Sequence, residues 1–465
     1  MGSKNPINSI VIERRSELVK NPYKLTYHIE PSKGLLNDPN GLIQYKGIYY
    51  FFHQWNRFSM NHDYKEWGLF TSEDMVNWNS HGSAIIPDRD KDRNGIYSGS
   101  SIEYDNNLYL FYTGSVKNDG VRKSYQCVSI SQDGKTFIKQ DIFIETPQRF
   151  TEHHRDPKVW KGKKNWWMIV GAQSKDEKGE IALYSSDDLL HWKYENVLYN
   201  KELDNMCECP DLFSVNDNID ILLCSPQIRA TKENNSAELS SYSAFIAGKF
   251  NENSREFLPQ TNLELIDYGF DFYAPQSFID EKGRRIIVAW MSRMSEKEEE
   301  LCPTKKYGYI HCLTLPRVIT WQDGMLIQKP IEEVKKLRKN RKNFNSFKDK
   351  FELKTGKFEI KLLRNNGLSD FKLSLRNNSI EINYCKKTRM FSVSRKNWVT
   401  NKKESKMKKL NSLMQLNIFS DNSTLEVFVN NGESVFSLRY FTDENDLGVE
   451  YLGLYEGEKL TYFEL

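Results

Sequence analysis

The sequence has few features of disulfide-bonded, membrane-spanning or secreted proteins. Only seven cysteines occur among 465 residues, and because their number is odd and their spacing irregular, no disulfide framework is expected. No apolar run approaches the roughly 20 residues that a membrane span needs. The first 20 residues lack the apolar segment of a secretory signal. These absences predict a cytoplasmic protein with reduced thiols.

An excess of charge of one sign is also lacking. The 66 basic and 63 acidic residues leave a formal charge of +3, which gives no indication of a nucleic acid or a membrane as a partner. One stretch departs from this balance, because residues 386–409 contain ten basic residues and one acid. A patch for an anionic partner and a strand edge protected by lysines both fit this stretch, and the strand edge is favoured.

Several motifs of cofactor-dependent and nucleophilic enzymes are missing. The chain contains no G-x-S-x-G elbow and no phosphate-binding glycine loop of the P-loop type. Cys207 and Cys209 flank one acid, and His153 and His154 lie close to another, but neither pair has companion ligands at the spacing of a zinc site. Structural roles are favoured for all four, and neither a metal nor a cofactor is implied.

Five short apolar runs, rich in aromatic and β-branched residues, repeat along the first two thirds of the chain. They begin at residues 48, 108, 166, 219 and 285, which is a period of about 60 residues. Each is too short for a helix and follows a polar turn. Such a period is typical of propeller blades, so an all-β, five-bladed β-propeller is predicted over residues 23–325. A β-sandwich with long loops is the alternative, but it does not account for the regular spacing.

Segments with a central aspartate follow three of these runs, at residues 71–78, 131–137 and 185–192. We interpret each of them as a turn that links two outer strands. Residues 325–350 are basic and mixed in character, which indicates a connector with a short helix. Short alternating strands then predict an antiparallel β-sandwich over residues 345–465.

Three acids lie beside prolines, in Asn37-Asp38-Pro39, Arg155-Asp156-Pro157 and Glu208-Cys209-Pro210. Proline fixes its own φ and disfavours the helical region for the preceding residue, so the acid or its neighbour is expected on extended backbone. The blades of a propeller deliver the ends of distant strands to one central funnel, where the three acids can meet. Two carboxylates and a third acid that positions the sugar are what the cleavage of a glycosidic bond requires.

These motifs and their order resemble glycoside hydrolase family 32, the family of invertases, fructosidases and sucrose-6-phosphate hydrolases. The resemblance covers roughly residues 25–320 and continues more weakly to residues 421–441. The segments that carry it are LLNDPNGLIQYKG (35–47), YSGS (97–100), RDPKVW (155–160), ECPDLF (208–213), DFYAPQ (271–276) and LTLPR (313–317). It implies a retaining β-fructofuranosidase that acts on sucrose 6-phosphate, on sucrose or on both.

The resemblance also implies a role for each acid. Asp38 would be the nucleophile that forms a fructosyl-enzyme intermediate, Glu208 the general acid and base, and Asp156 the stabiliser of the transition state. A retaining mechanism predicts carboxyl groups roughly 5–5.5 Å apart and a raised pKa for Glu208. The other positions that would contact the sugar are Asn37, Gln54, Trp67, Tyr97, Ser98, Arg155, Asp271 and Trp290.

Some residues depart from the family pattern. Glu66 and Leu69 stand where relatives often have histidines around Trp-Gly, Tyr97 replaces a more usual Phe, and Ser292 stands where Gly is common. The three acids match the family pattern, so the departures concern what binds beyond the fructose ring. A cytoplasmic location favours a phosphorylated substrate, which would need a basic side chain near the glucose. The candidates for this side chain are Arg57, Lys65 and Lys305.

Two other functions remain open at this point. A fructan exo-hydrolase or a fructosyltransferase would use the same three acids and differ in its leaving group. A non-catalytic sugar-binding propeller would keep the acids without turnover, and the intact acids Asp38, Asp156 and Glu208 argue against it. In each case the expected partner is a small sugar, and the sequence does not indicate an oligomeric state.

Overall fold

The structure, a computed structural model, describes residues 20–228 and 241–465. This part of the chain consists mainly of antiparallel strands. Residues 1–19, in which no secretory signal was recognised, lie outside the described residues. No described helix has the length and apolar character that are needed to cross a membrane.

Five sheets follow one another along the first part of the chain. The first contains β1 (Gly34–Tyr45), β2 (Ile48–Asn56), β3 (Glu66–Ser72) and β4 (Asn79–Ile85). The second contains β5 (Ile96–Tyr104), β6 (Asn107–Asn118), β7 (Val121–Ser131) and β8 (Ile138–Glu145). The third contains β9 (Phe150–Lys161), β10 (Trp166–Ser174), β11 (Gly179–Ser186) and β12 (Lys193–Tyr199). The fourth contains β13 (Met206–Asn216), β14 (Ile219–Gln227), β15 (Ala244–Asn251), β16 (Glu256–Pro259) and β17 (Glu264–Leu265).

The fifth sheet includes the connection that leads back to the first. Its strands are β18 (Phe272–Ile279), β19 (Arg285–Met291), β21 (Cys312–Leu313), β22 (Arg317–Gln322) and β23 (Met325–Pro330). Between β19 and β21 lie the short helix α1 (Glu296–Glu300), a 3-10 helix (Pro303–Tyr307) and β20 (Tyr309–Ile310). Because β20 pairs in parallel with β1, a late strand joins the first sheet.

The first strands of the five sheets surround a common centre. They contact one another in the order β1, β5, β9, β13 and β18, and β18 contacts β1. Among the described residues, packing and the short β20–β1 pairing link neighbouring strands, and each sheet stays separate without closing into one continuous barrel. The five apolar runs found in the sequence are the second strands, β2, β6, β10, β14 and β19. The predicted all-β fold of a propeller followed by a sandwich is confirmed.

Three of the sheets repeat one turn between their third and fourth strands. In the first sheet, a carboxylate oxygen of Asp74 accepts hydrogen bonds from the backbone N–H groups of Val76 and Asn77. Asp133 and Asp188 make the equivalent bonds in the second and third sheets. A side chain that satisfies the amides of its own turn stabilises that turn locally. The turns predicted from the aspartate-centred segments are present.

A 3-10 helix (Glu332–Leu337) follows β23 and leads into two six-stranded antiparallel sheets. One sheet contains β24 (Lys339–Phe344), β26 (Lys357–Leu363), β31 (Gln415–Asp421), β32 (Thr424–Val429), β33 (Ser434–Arg439) and β35 (Lys459–Glu464). The other contains β25 (Lys348–Glu352), β27 (Phe371–Leu375), β28 (Ile380–Cys385), β29 (Met390–Lys396), β30 (Lys403–Lys409) and β34 (Gly448–Leu452). One apolar core lies between them. The boundaries proposed from the sequence, 23–325 and 345–465, stay predictions.

The basic stretch at residues 386–409 includes β29 and β30. β30 is the last strand of its sheet, and five of its seven residues are exposed. Lysines on an exposed edge discourage pairing with another chain. This position agrees with the favoured interpretation of the stretch as a protected strand edge.

The propeller and the sandwich share one apolar cluster and one buried charge network. The cluster joins Leu36, Phe51 and Phe278 to Phe419, Phe428 and Val435. Arg317, which is 0% exposed, forms ion pairs with Asp267 at 3.0 Å and with Glu426 on β32 at 2.6 Å. Since each of these charges needs the others to offset its desolvation, the two parts of the molecule are locked in one arrangement.

The segment before β1 ties the propeller to the sandwich. The backbone N–H groups of Thr26, Tyr27 and His28 donate hydrogen bonds to the carboxylate of Asp421. The buried ring of His28 lies between Asp421 at 3.1 Å and Glu426 at 3.0 Å. Burial lowers the pKa of this imidazole, but the hydrogen bonds to the two carboxylates and their charges outweigh burial and raise it to about 9.

This pKa predicts a pH dependence of stability. The folded protein binds the His28 proton more tightly than the unfolded chain, whose imidazole has a pKa of about 6.5. The resulting stabilisation, about 3 kcal/mol, is fully present below pH 6.5 and is lost as the pH rises through about 9. Urea unfolding of the wild type and of His28→Gln across this range measures it. We expect a smaller loss of stability in the variant, and equal losses in both proteins would contradict the assignment.

Candidate active site

The first strand of every propeller sheet contains a β-bulge at the same point. The pairing register shifts around Asp38 in β1, Ser98 in β5, Asp156 in β9, Cys209 in β13 and Ala274 in β18. Each of these residues precedes a proline, or a glycine in the case of Ser98. Proline has no N–H to give to a strand ladder, and a bulge redirects the side chain that it displaces. The bulges therefore turn five side chains towards the centre.

The backbone at three of these bulges is left-handed, which for Asp156 and Cys209 differs from the extended conformation expected from the sequence. Asp156, Cys209 and Ala274 have φ values of 71°, 45° and 50°. The left-handed region is unfavourable for residues with a side chain, so packing and hydrogen bonds must hold them there. For Asp156, its backbone N–H donates to Oγ1 of Thr113 at 2.9 Å.

The displaced side chains meet at the centre of the propeller. Ser98 Oγ donates a hydrogen bond to Asp38 Oδ2 at 2.7 Å. The backbone N–H of Cys209 donates to Asp156 Oδ2 at 2.9 Å. The sulfur of Cys209 lies 3.9 Å from Asp38 Oδ2 and 3.6 Å from Asp156 Oδ2. Two of the three acids predicted from the sequence thus share one site.

The third acid, Glu208, reaches the same site from the position before the bulge. Arg155 Nη2 donates to Glu208 Oε1 at 2.7 Å, and the hydroxyl of Tyr273 donates to Glu208 Oε2 at 2.6 Å. Arg155 Nε also lies 4.0 Å from Asp156 Oδ2. A single guanidinium therefore contacts two of the acids, and both oxygens of Glu208 are held by a donor.

Amide side chains connect Asp38 to a buried lysine. Gln54 Nε2 donates to Ser98 Oγ at 2.6 Å, and Asn37 Nδ2 donates to Gln54 Oε1 at 2.6 Å. Lys65 Nζ donates to Asn37 Oδ1 at 2.5 Å, and Lys65 is 3% exposed. Asn37, Gln54 and Ser98, which were predicted to contact the sugar, therefore lie together beside Asp38.

Tyr97 and Trp290 lie next to residues of the site. Tyr97 is half-buried and precedes the bulge of β5. The buried ring of Trp290 lies with its centroid 6.2 Å from that of Tyr273. Since Tyr273 holds Glu208, Trp290 forms part of the wall next to that acid. Stacking of a sugar on Trp290 stays a prediction.

Trp67 and Asp271 make contacts within the protein. Trp67 is 0% exposed, and its Nε1 donates to the carbonyl of Tyr97 at 3.0 Å, so it supports a wall of the site from the core. Asp271 is also 0% exposed and accepts hydrogen bonds from the guanidinium of Arg395 and, at 2.7 Å, from the backbone N–H of Arg439. It thus lies between the propeller and the sandwich, and a contact of either residue with sugar stays a prediction.

The residues considered as metal ligands have other contacts. The buried ring of His154 bonds to the hydroxyl of Tyr184 at 2.9 Å, and His153 Nδ1 lies 3.0 Å from Arg155 Nη1. Cys207 is buried and unpaired. Within residues 20–228 and 241–465, no cluster of three or more potential ligands is arranged to hold a metal ion.

Burial determines the protonation of two of the acids. It raises the pKa of Asp156 to about 7; the charge of Arg155 opposes this rise, and the charges of Glu208 and Asp38 add to it. Burial also raises the pKa of Asp38, and the hydrogen bond from Ser98 partly offsets this rise. Near pH 7 the Asp156 carboxyl is therefore protonated in about half of the molecules.

The sequence-based expectation for Glu208 is wrong in direction. Burial raises the pKa of this carboxyl, but the charge of Arg155 and the hydrogen bonds from Tyr273 and Arg155 outweigh burial, so the pKa lies below its usual value. The neighbouring acids were expected to dominate, and the pattern of acids and prolines gives no information about these two donors. Before a sugar binds, the surroundings therefore lower the pKa of Glu208, whereas they raise the pKa of Asp38 and of Asp156.

Tyr273 is the functional residue that sequence reasoning missed. The resemblance to the family singles out Asp271 in the same segment. The signal was nevertheless present, since Tyr273-Ala274-Pro275 repeats the arrangement of Glu208-Cys209-Pro210. In both motifs the residue before the bulged one points a polar group into the site.

The short helix α1 lines the approach to the buried lysine and is held by the sandwich. Glu299 of α1 lies 3.3 Å from His62 Nε2, and His62 Nδ1 lies 3.0 Å from Lys65 Nζ. The preceding residue, Glu298, accepts a hydrogen bond at its carbonyl from Trp398 Nε1 at 3.1 Å. Its carboxylate accepts another from Asn397 Nδ2 at 2.7 Å. Both donors belong to the β29–β30 connection of the sandwich.

A wide groove of about 900 Å³ lies elsewhere, between the third and fourth sheets. Its walls include Trp160, Phe213 and Lys249, and none of the three acids contributes to it. Lysines, acids and aromatics are mixed along its walls, and they do not form a cluster of converging reactive groups. The bulge site is therefore the candidate active site.

Known proteins match this chain along most of its length. Residues 28–330 match the N-terminal domain and residues 328–463 the C-terminal domain of glycosyl hydrolases family 32. The chain is 37% identical over 444 residues to sucrose-6-phosphate hydrolase of Bacillus subtilis (strain 168), covering 92% of this chain and 91% of that protein. It is 34% identical over 465 residues to sucrose-6-phosphate hydrolase of Staphylococcus xylosus, with coverages of 96% and 92%. The solved structure of sucrose-6-phosphate hydrolase from Lactobacillus gasseri superposes with a TM-score of 0.86 at 29% identity, covering 96% and 93% of the two chains.

The contact between Tyr273 and Glu208 gives a prediction for the ionisation of this acid. Tyr273→Phe removes a hydrogen bond that favours the charged carboxylate, so the pKa of Glu208 should rise by about 1. A 13C NMR titration of labelled glutamate carboxyls measures it, with Glu208→Gln identifying the signal. Tyr97→Phe, at the corresponding position of β5, is the matched control and should leave the signal unchanged. Equal pKa values in the wild type and Tyr273→Phe would contradict the assignment.

Proposed function

Because this chain belongs to glycoside hydrolase family 32, we propose that it hydrolyses the β-fructofuranosyl bond of sucrose 6-phosphate and of sucrose. Fructose would leave with its configuration retained. The observation that carries the proposal is the meeting of Asp38, Asp156 and Glu208 on the bulged first strands of three sheets. The relatives named for this activity match over most of the chain.

Asp38 is the nucleophile in this proposal. The hydrogen bond from Ser98 to its Oδ2 favours the carboxylate form that attacks the anomeric carbon of the fructosyl group. Attack forms a bond between this carbon and a carboxylate oxygen of Asp38 and breaks the bond to the leaving oxygen. Water then attacks the same carbon and releases both fructose and Asp38.

Glu208 donates a proton to the leaving oxygen in the first step and takes one from water in the second. Its low pKa before binding is compatible with this role if substrate changes its surroundings. The Glu208 side chain is 18% exposed, and a bound disaccharide covers this surface and excludes water from it. Desolvation disfavours the carboxylate, so Glu208 takes up a proton from solvent as the complex forms, and this proton goes to the leaving oxygen.

Asp156 and Arg155 bind and stabilise the sugar. Asp156 is 3% exposed and held by the backbone N–H of Cys209, so its carboxyl is fixed in position for fructose hydroxyls. Positive charge develops on the fructosyl ring in the oxocarbenium-like transition state. The three carboxyl groups around the ring stabilise that charge in a poorly solvated site.

Fructan exo-hydrolysis and fructosyl transfer would use the same acids with another leaving group or acceptor. Among solved structures, fructan 1-exohydrolase IIa from Cichorium intybus superposes with a TM-score of 0.80 at 21% identity, a likeness that concerns the fold. The more similar relatives carry the name of sucrose-6-phosphate hydrolase, which favours sucrose 6-phosphate as the substrate. A purely sugar-binding propeller would not need an aspartate and a glutamate with separate donors.

Substitution of the acids tests the mechanism. Asp38→Asn should abolish turnover of sucrose, because no covalent intermediate can form. Glu208→Ala should lower kcat by about 10²–10⁴-fold, the usual contribution of a general acid. A fructoside with a good leaving group should restore part of the rate in Glu208→Ala and none in Asp38→Asn. An Asp38→Asn variant with wild-type turnover would refute the assignment and favour a binding function.

A comparison of substrates tests the leaving group. We expect kcat/KM to be highest for sucrose 6-phosphate, lower for sucrose and lowest for an inulin-type oligomer. Initial rates of fructose release measure all three, and NMR of the first-formed fructose anomer tests for retention. A preference for the oligomer would favour the fructan exo-hydrolase, and transfer of fructose to sucrose would favour the fructosyltransferase.

A further inference from the structure

A continuous chain of hydrogen bonds leads from Lys65 to the carboxylate of Asp38 through three uncharged side chains. We propose that Lys65 is a positioning residue whose ammonium group fixes the direction of every hydrogen bond in this chain, so that Ser98 must donate to Asp38. The inference rests on the proposed role of Asp38 as the nucleophile. It assigns Lys65 to the fructosyl side of the reaction and not to recognition of a phosphate.

The direction follows from the donors and acceptors of each group. An ammonium group can only donate, so the atom of Asn37 at 2.5 Å from Lys65 Nζ must be the amide oxygen. The amide nitrogen of Asn37 then faces Gln54 at 2.6 Å and must meet its oxygen. The nitrogen of Gln54 therefore faces Ser98 Oγ at 2.6 Å and donates a hydrogen bond to a lone pair of the hydroxyl oxygen.

Ser98 has one proton and is left with one direction in which to donate it. Since Gln54 donates to Ser98, the hydroxyl proton points to Asp38 Oδ2 at 2.7 Å. Without the lysine, both amides can turn over with little change in shape, because their oxygen and nitrogen ends are nearly isosteric. Ser98 would then donate to Gln54 and present a lone pair to Asp38, which repels the carboxylate and favours its protonated form.

The groups around Lys65 and around Asp38, the two ends of the hydrogen-bond chain, agree with this assignment. Lys65 is buried between β1 and α1 and faces His62, Glu299, Asp63 and Asp38. Burial lowers its pKa to about 8, and the three acids oppose this decrease. At the other end, Asp38 faces Glu208, Asp156 and Cys209. The ammonium form, which sets the direction, therefore predominates below about pH 8.

Two substitutions of Lys65 separate the loss of the cationic donor from a change of side-chain shape. Lys65→Met removes the donor, and Lys65→Arg keeps a group that only donates. Lys306→Met is the control, since it removes one positive charge from the 3-10 helix next to β20 without touching the chain of hydrogen bonds. The pH dependence of kcat/KM for plain sucrose is measured for all three and for the wild type, and thermal unfolding checks that each variant is folded.

We expect Lys65→Met to move the acidic limb of kcat/KM upward by about 1 to 2 pH units, the effect of losing a hydrogen bond to a charged carboxylate. Below that limb its activity falls about tenfold for each pH unit by which the limb has moved, and the deficit shrinks as the pH rises. Lys65→Arg and Lys306→Met should keep the wild-type acidic limb.

Other results would overturn the proposal. A pH-independent deficit in Lys65→Met, or equal deficits in Lys65→Met and Lys65→Arg, would assign Lys65 a merely structural role. A deficit seen with sucrose 6-phosphate and absent with sucrose would assign it to the phosphate. Failure of the proposed function itself looks different, because Asp38→Asn would then keep its turnover or the wild type would release no fructose from either sugar.

Discussion

Arg155 contacts two of the three carboxyl groups that the propeller buries at its centre, and the protonation of the site depends on this contact. Three carboxylates in one poorly solvated space would repel one another, so the cluster needs a cation and directed donors. The guanidinium and the Tyr273 hydroxyl stabilise the charge of Glu208, whereas Asp156 keeps a pKa of about 7. The pKa of Glu208 is thereby lowered while the pKa values of Asp38 and Asp156 are raised, and acids whose pKa values are pushed apart can take separate catalytic roles.

The bulges make this cluster geometrically feasible. In a regular strand, successive side chains alternate between the two faces of a sheet, and none of them points along the axis of a ring of sheets. A bulge followed by proline, or by glycine in β5, displaces one residue in each first strand and ends its pairing locally. One structural device, repeated in five sheets, thus brings together Asp38, Ser98, Asp156, Cys209 and Ala274, although they come from distant parts of the chain.

Much of this architecture was predictable, because it depends on local patterns. The apolar runs identified the second strands, and the acid–proline motifs identified Asp38 and Asp156. The low pKa of Glu208 was not predictable, because it depends on Arg155 and Tyr273, which reach it across sheets. The contact of Asp271 with Arg395 depends on how the sandwich docks, and no local pattern encodes it. Lys65 was considered for its charge alone, since the amides that connect it to Asp38 become neighbours only in the folded chain.

The anchoring of α1 by Trp398 and Asn397 connects the sandwich to the surroundings of the site. The sandwich contributes no acid, yet it determines where Glu299, and through it His62, stand at the rim. A chimera that joined this propeller to the sandwich of a relative would therefore exchange the support of α1 while keeping the three central acids. Natural divergence in the loop between β29 and β30 can shift α1 in the same way, without any substitution among Asp38, Asp156 and Glu208.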